Sequence, residues 1–318
     1  MILSVSRRTD IPAFFPRWFM RRLREGYVLV RNPMNYHQVS KIGLSPEWID
    51  CIVFWTKNAQ PIVPYLKEIG SIYPFYFQYT LNAYEWDIEE KIPSLKNRIA
   101  TFQALSDTIG KERLVWRYDP ILLSPKYTVD WHIKSFEKLA QDLSSYVESC
   151  VFSFLDMYLK IEKKLQACQA RECTEEEMRR IAKAFAEIGK RLHLQLRTCA
   201  ESIDLETYGI QHCKCVDPEL IRRLTGYEIR ASKDKNQRME CGCIESVDVG
   251  QYNTCRNNCR YCYANFSPHS VATFTSKHNE KSPLLVGELL PEDKITVRKM
   301  KSFKERRMDL GQVDLFDE

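Results

Sequence analysis

The sequence predicts an α/β protein built as a (β/α)8, TIM-like barrel, irregular in one stretch, with a cysteine-rich segment after it. Three observations lead there. Short β-rich runs recur through the first 225 or so residues, roughly one per strand-plus-helix unit. Several runs are apolar almost throughout, as parallel strands covered on both faces are. Amphipathic helical stretches separate them. A doubly wound open sheet is the alternative, but no G-x-G-x-x-G or P-loop motif follows any run.

The runs are ILSVS (2–6), YVLV (27–30), CIVFW (51–55), FYFQYTL (75–81), LVWRY (114–118), CVFSFL (150–155), LHLQLRT (192–198) and QHCKCV (211–216). PAFFPRWFMRRLRE ends at Gly26, and SLKNRIATFQALSDTIG ends at Gly110, each glycine suited to stop a helix. TEEEMRRIAKAFAEIGKRLH opens with a capping box, Thr174 to Glu177. DPELIRRLTG closes the series. The link between the second and third runs has room for a single helical turn, which is why the barrel is expected to be irregular.

Residues 1–228 are therefore expected to form the barrel, and residues 229–318 a cysteine-rich segment and tail packed on it. The second part is polar and poorly periodic, so it cannot build a large core of its own; a metal site would supply the missing stability. A basic stretch, VRKMKSFKERR (297–307), is read as a solvated part of that tail rather than a nucleic-acid contact. Hydrophobic residues make up 44% of the 318, enough for a sizeable core, and the net charge of +5 permits an anionic partner without demanding one. The first residues lack the pattern of a secretory signal, and no run reaches the roughly 18 apolar residues of a membrane span, so a cytoplasmic protein is expected.

The twelve cysteines are unevenly spread. Cys51 and Cys150 sit singly in apolar runs and read as small core residues. From Cys199 onward the thiols crowd. In a reducing compartment, clustered thiols more often bind metal than form disulfides. The six histidines show no H-E-x-x-H spacing, which disfavours a zinc hydrolase, and His132 and His193 read as packing residues.

In a barrel of this kind the active site lies where strands finish. Here those positions are polar: Arg8 and Asp10, Lys57, Arg117 and Asp119, Asp156, and Arg197 are the candidate catalytic residues. Alternation along the strands points Gln78, Arg117, Ser153, Gln195 and Arg197 into the barrel. Buried arginines must find carboxylates or anionic ligands. The same set serves either as an internal Arg–Asp network or as a cationic mouth for an anionic small molecule or nucleic-acid-like substrate.

Cys255, Cys259 and Cys262 stand in a C-x3-C-x2-C spacing, with Tyr261 before the last. Three thiolates at this spacing reach one cluster from a short loop, and a fourth ligand is needed to complete an ordinary cubane or a tetrahedral zinc. No cysteine follows Cys262. The motif resembles the cluster-binding motif of radical S-adenosylmethionine enzymes. That resemblance implies a [4Fe–4S] cluster on Cys255, Cys259 and Cys262, with Tyr261, Asn253 and Asn265 beside the cofactor. It also implies S-adenosyl-L-methionine on the open iron, radical chemistry after one-electron reduction, and an electron donor such as flavodoxin or ferredoxin. In typical members of that superfamily the cysteine loop follows the first strand; here it comes last, and no Gly-Gly-Glu segment is evident. First and last strands are neighbours in a closed barrel, so the loop can still reach the same mouth.

The stretches SRRTDIPAFFPRWF, VFWTKN, WRYDPI, DKNQR and CGCIESVDVGQYNTCRNNCRYCYAN resemble, over essentially the whole chain, the bacterial domain-of-unknown-function family 1848. Its carboxyl-terminal cysteines are noted as similar to the radical S-adenosylmethionine cluster motif. Two other functions fit the same residues. One is a non-catalytic zinc module that binds nucleic acid, with Cys241 or Cys243 completing the trio; the other is a fully ligated electron-transfer cluster. Cys213, Cys215, Cys241 and Cys243 form a candidate second site for zinc or another cluster.

Overall fold

The computed structural model describes residues 1–305. In chain order the strands are β1 (Ile2–Val5), β2 (Tyr27–Arg31), β3 (Gln38–Gly43), β4 (Cys51–Thr56), β5 (Phe75–Thr80), β6 (Leu114–Ile121), β7 (Ser149–Phe154), β8 (Gln195–Thr198), β9 (Gln211–His212), β10 (Glu228–Ile229), β11 (Ser246–Asp248), β12 (Lys294–Val297) and β13 (Lys304–Glu305). The helices are α1 (Ile11–Phe14), α2 (Pro16–Glu25), α3 (Leu66–Gly70), α4 (Leu95–Ile109), α5 (Val129–Leu143), α6 (Leu159–Gln166), α7 (Glu175–Arg191), α8 (Pro218–Thr225) and α9 (Pro268–Thr275).

Eight strands form one sheet in the order β11-β1-β4-β5-β6-β7-β8-β9, and every neighbouring pair is parallel. This is the mixed α/β architecture, with a large central parallel sheet, that the repeated units predict. Two features differ from the expected barrel. The described ladders leave the sheet with two edges, β11 and β9, so closure is not part of the described hydrogen bonding. The run at 27–30 is not in this sheet either; it pairs antiparallel with β3, which pairs with β12, in a separate three-stranded sheet. The short second link is a β-hairpin rather than a crossover, and a hairpin can join only antiparallel strands. Strand β4 pairs directly with β1 in its place, and β11 pairs on the other side of β1, so the sheet draws strands from both sides of the 228/229 boundary.

Alternation along the strands sorts the side chains into two cores. One face carries Leu3, Ile52, Phe54, Phe77, Leu114, Trp116, Tyr118 and Phe152, all buried against the helices. The other carries Ile2, Cys51, Val53, Tyr76, Val115 and Val151. In a closed barrel this second face would fill its own interior. Here it is covered by Val216, Ile221, Ile244 and four cysteines of the chain between 213 and 244. Gln78, Arg117 and Ser153 lie buried on that same covered face, as the alternation predicts.

Local sequence explains the helix limits. The Thr174 side chain accepts from Glu177 N while Glu177 returns a bond to the Thr174 backbone, the capping box expected for α7. Ser94 caps α4 and Thr128 caps α5 by the same acceptor role. Helix α2 ends at Gly26 with φ 75°, a left-handed conformation that glycine adopts without strain. Helix α5, not singled out in the sequence, presents His132, Phe136 and Leu139 inward. His132 is a packing residue: its Nδ1 lies 2.9 Å from the Tyr118 hydroxyl, and Nε2 lies 2.8 Å from Leu122 O. The amino terminus and the described part of the basic tail converge on buried Asp50, which accepts from the Met1 amine and from Phe303 N at 2.7 Å. Arg306 and Arg307 lie outside the described residues. Among the described residues no helix is long and apolar enough to cross a membrane.

Phe136 is fully buried between Trp116 and Phe185, stacked on the latter at 3.7 Å. Replacing Phe136 by alanine should lower unfolding free energy by about 3–5 kcal/mol, measured by urea denaturation.

Candidate functional site

The strands of a parallel sheet all finish on one side, and the residues just past their ends gather there. In this protein those ends line a cavity of ≈ 340 Å³, within the range of small-molecule sites. Its walls include Arg7, Arg8 and Asp10 past β1, Trp55 and Lys57 at β4, Arg117 and Asp119 of β6, Ser153 and Asp156 at β7, and Cys199 past β8. The carboxyl-terminal loop supplies Cys255, Cys259, Tyr261, Cys262 and Tyr263. All three cysteines of the C-x3-C-x2-C motif therefore face the same space as the strand-end charges.

A buried carboxylate fastens the loop there. Glu89 accepts from Lys57 Nζ at 2.8 Å, from Arg98 Nη1 at 3.2 Å, from Asn82 Nδ2 at 3.2 Å and from the Tyr261 hydroxyl. Burial alone would raise its pKa, but the two cations and these hydrogen bonds hold it below the ordinary carboxylate range. The backbone repeats the attachment: Arg260 N donates to Ile88 O at 2.9 Å, and Lys91 N to Asn257 O at 3.1 Å. Tyr261 thus acts from the motif toward the scaffold.

Asp10 joins the other side. It accepts from Thr56 Oγ1 at 2.6 Å, Lys57 N at 2.8 Å and Asn257 Nδ2 at 3.2 Å, and burial raises its pKa. Within the loop, Asn253 and Asn258 adopt left-handed φ values of 60° and 51°, which asparagine tolerates better than most residues. Asn253 Oδ1 accepts from Phe266 N and Asn265 Nδ2 donates to Cys255 O, both at 2.7 Å. Neither asparagine lines the cavity; both close the loop, where the resemblance placed them beside a cofactor.

Arg117 is held on three sides. Its Nη2 donates to Asp119 Oδ2 at 2.7 Å, Nη1 lies 2.8 Å from Cys215 Sγ, and Trp55 stacks at 5.6 Å. Asp119 also accepts from the Ser153 hydroxyl. Asp156 pairs with Arg238. Arg8 lies 4.0 Å from Asp248, itself anchored by Ser6 Oγ at 2.6 Å and Arg7 N at 2.8 Å. Gly250 lets this turn close, since a Cβ there would lie 2.0 Å from Ser6 Oγ. Arg197 is the exception among the strand-end candidates. It pairs with Asp217, the N-cap residue of α8, at 3.7 Å in a different recess, lined by Gln195, Cys213 and Lys214.

The second set of thiols lies at the wall of the main cavity. Cys215, Cys241 and Cys243 line it; Cys213 sits behind them. Cys199 joins the set, with its Sγ 2.9 Å from Cys215 Sγ. Hydrogen bonds from Cys213 and Cys215 hold the Cys199 thiol below its ordinary range, and bonds from Cys215 and Cys241 do the same for Cys243. Burial raises Cys259 and Cys262, and pushes Cys255 up to about 12. All twelve cysteines are free thiols. Among the described residues, no three His, Cys, Asp or Glu side chains are arranged to hold a metal ion as they stand.

Sequence reasoning did not single out Glu89 or Arg238 as site residues. Glu89 sits in a charged stretch, EWDIEEK, where nothing separates a buried carboxylate from solvated ones. The model of a domain of unknown function, DUF1848, matches residues 2–264. The chain belongs to the DUF1848 family. The match runs through the parallel sheet and the cysteine loop alike and ends just past Cys262. No curated protein matches this DUF1848 chain. Among solved structures, one of a protein provisionally assigned as an alpha-L-fucosidase, from Bacteroides thetaiotaomicron VPI-5482, aligns at 16% identity with a TM-score of 0.23. The alignment covers 49% of this chain and 66% of that one, too slight a likeness to bear on fold or activity.

Substituting Glu89→Gln leaves Lys57 and Arg98 buried without their anion and should cost roughly 3–5 kcal/mol in chemical denaturation. Because the folded-state pKa of Glu89 is depressed, its contribution is present above the unfolded value and lost on acidification. The gap between wild type and Glu89→Gln should therefore narrow as pH falls below about 4.3.

Proposed function

We propose that this protein is an iron–sulfur enzyme of the radical S-adenosylmethionine type, holding a [4Fe–4S] cluster on Cys255, Cys259 and Cys262 and acting on an anionic substrate. The observation that carries the reading is the shared cavity: three free thiols of a cluster motif and the charged ends of the parallel strands line one space.

The donor set fits the group. The trio faces a common cavity, yet it is not gathered at one point as a single ion would require. Thiolates on one tetrahedral zinc stand about 3.8 Å apart, given Zn–S bonds of about 2.3 Å. A cubane takes each thiolate on a different iron, so wider spacing suits it. The cavity favours an enzyme over an electron carrier, which has no use for a substrate-sized space beside its centre.

When bound with S-adenosylmethionine, a cluster of this type supplies one-electron cleavage of the sulfonium. The chain's own residues supply position and shielding. Tyr261, tied to Glu89, fixes the loop between Cys259 and Cys262. Arg7, Arg8, Lys57, Arg117 and Arg238 outnumber Asp10, Asp119 and Asp156 on the walls, five cations to three carboxylates, which suits a phosphorylated or carboxylate-bearing ligand. Trp55 and Tyr263 give it flat aromatic walls.

Anaerobic reconstitution with iron and sulfide should give a brown protein, and Cys255→Ala should lose the colour while keeping its circular dichroism spectrum. Dithionite with S-adenosylmethionine should then yield 5′-deoxyadenosine. A colourless reconstituted wild type would refute the cluster, and colour without any 5′-deoxyadenosine would refute the radical class.

A further inference from the structure

Five of the twelve cysteines, apart from the trio, gather on one side of the cavity, four of them on its wall and Cys213 behind. Cys199 follows β8, Cys213 and Cys215 follow β9, and Cys241 and Cys243 come from the chain just before β11. Cys199 Sγ lies 2.9 Å from Cys215 Sγ. Cys213, Cys215, Cys241 and Cys243 pack in one buried cluster, and Cys199, Cys215, Cys241 and Cys243 line the same cavity.

Packing does not call for such a group. Elsewhere Cys51 and Cys150 are buried singly among apolar neighbours, as small core residues are. Here three separate stretches converge to bring thiols, not methyl groups, into contact. Their other neighbours are cationic or donating. Arg117 Nη1 reaches Cys215 Sγ at 2.8 Å, and Val216 N donates to Cys243 Sγ at 3.3 Å. Such bonds to sulfur stabilise thiolate ligands. Arg7 stacks on Trp55 at 4.9 Å, and its buried Nη2 finds no hydrogen-bond partner among the described residues. Its nearest carboxylate, Asp234, is 4.0 Å away. A buried guanidinium short of a partner, beside a wall of thiols, points to an anionic group that the side chains alone do not provide.

The chain between β10 and β11, which carries Cys241 and Cys243, needs a fastening. Its backbone pairing is limited to an isolated bridge, Lys233 with Ile244, and a few other bonds. It nevertheless packs Cys241, Cys243 and Ile244 onto one face of the sheet, beside Val216 and Ile221. Thiolate ligation supplies stability where backbone ladders are sparse.

We infer that Cys199, Cys215, Cys241 and Cys243, with Cys213 behind them, form a second metal centre, a thiolate site for a thiophilic ion or an iron–sulfur cluster. Cys199 Sγ and Cys215 Sγ are 2.9 Å apart; the roughly 3.8 Å spacing of thiolates on zinc requires that pair to spread by about an ångström, within the reach of side-chain rotation. The metal–thiolate group carries net negative charge, and Arg117 and Arg7 balance it. The site is independent of the Cys255, Cys259 and Cys262 loop.

The test uses full-length protein with Cys255, Cys259 and Cys262 all replaced by alanine, expressed in metal-replete medium and purified without oxygen. Elemental analysis and a sulfide assay should find metal retained: zinc without sulfide, or iron with it, tells the two chemistries apart. Adding Cys215→Ser and Cys243→Ser should abolish that metal and make residues 229–245 readily cleaved by trypsin, whereas adding Cys150→Ser, outside the site, should leave metal in place. A folded triple variant free of metal after both zinc loading and iron–sulfide reconstitution would overturn the assignment. So would metal that survives the Cys215 and Cys243 replacements, or a Cys199–Cys215 disulfide found by mass spectrometry in protein kept anaerobic. Loss of cluster chemistry at the trio leaves these readings unchanged.

Discussion

The carboxylate of Glu89 is the tie on which the site depends. It is buried, and it joins three parts of the chain that meet nowhere else so closely: Lys57 past β4, Arg98 on α4 and Tyr261 in the cysteine loop. A buried charge of this kind is held only by partners with good geometry. Remove it and two cations lose their counter-charge while the loop loses its main side-chain anchor. Asn257, bonded to Asp10, and Asn258, bonded to Glu90, add side-chain attachments, while Asn253 and Asn265 shape the loop from within. Its position over the strand ends therefore follows from an electrostatic constraint, reinforced by a few backbone bonds to residues 88–91.

A second constraint is the covering of the sheet. An eight-stranded parallel sheet needs both faces covered. Helices cover one face in the usual way. The other is covered by chain that carries little regular structure and many thiols. This accounts for the change of texture after residue 229: a segment that looks unable to fold by itself folds because it lies on a preformed apolar face, with Tyr76 donating from that face to Cys215 O at 2.6 Å.

Much of this was legible in the sequence, for definite reasons. Apolar runs such as CIVFW and LVWRY can only be strands buried on both faces, and seven of the eight predicted runs lie in the central sheet. The polar residues after them face the cavity because parallel strands end together; Arg8, Asp10, Lys57, Arg117, Asp119 and Asp156 all line it. What escaped is what periodicity does not encode. YVLV is as apolar as a barrel strand but is turned away by a hairpin. SVD at 246–248 is too short and polar to read as a strand, yet it pairs with β1 throughout. Arg197 lies level with Arg117 across the sheet, both registered on Val151, yet it turns to Asp217 at the start of α8 and into another recess, a partner that no local pattern marks. Glu89 carries no local mark, because its burial is decided by residues far away in the chain.

Iron-edge anomalous diffraction from crystals grown and reconstituted without oxygen tests the central claim most directly. The account predicts an iron peak bounded by Cys255, Cys259 and Cys262, on the side of the loop that faces Asp10 and Lys57, with Tyr261 still bonded to Glu89. Density for the three thiols directed away from the strand ends, with no iron beside them, would contradict it.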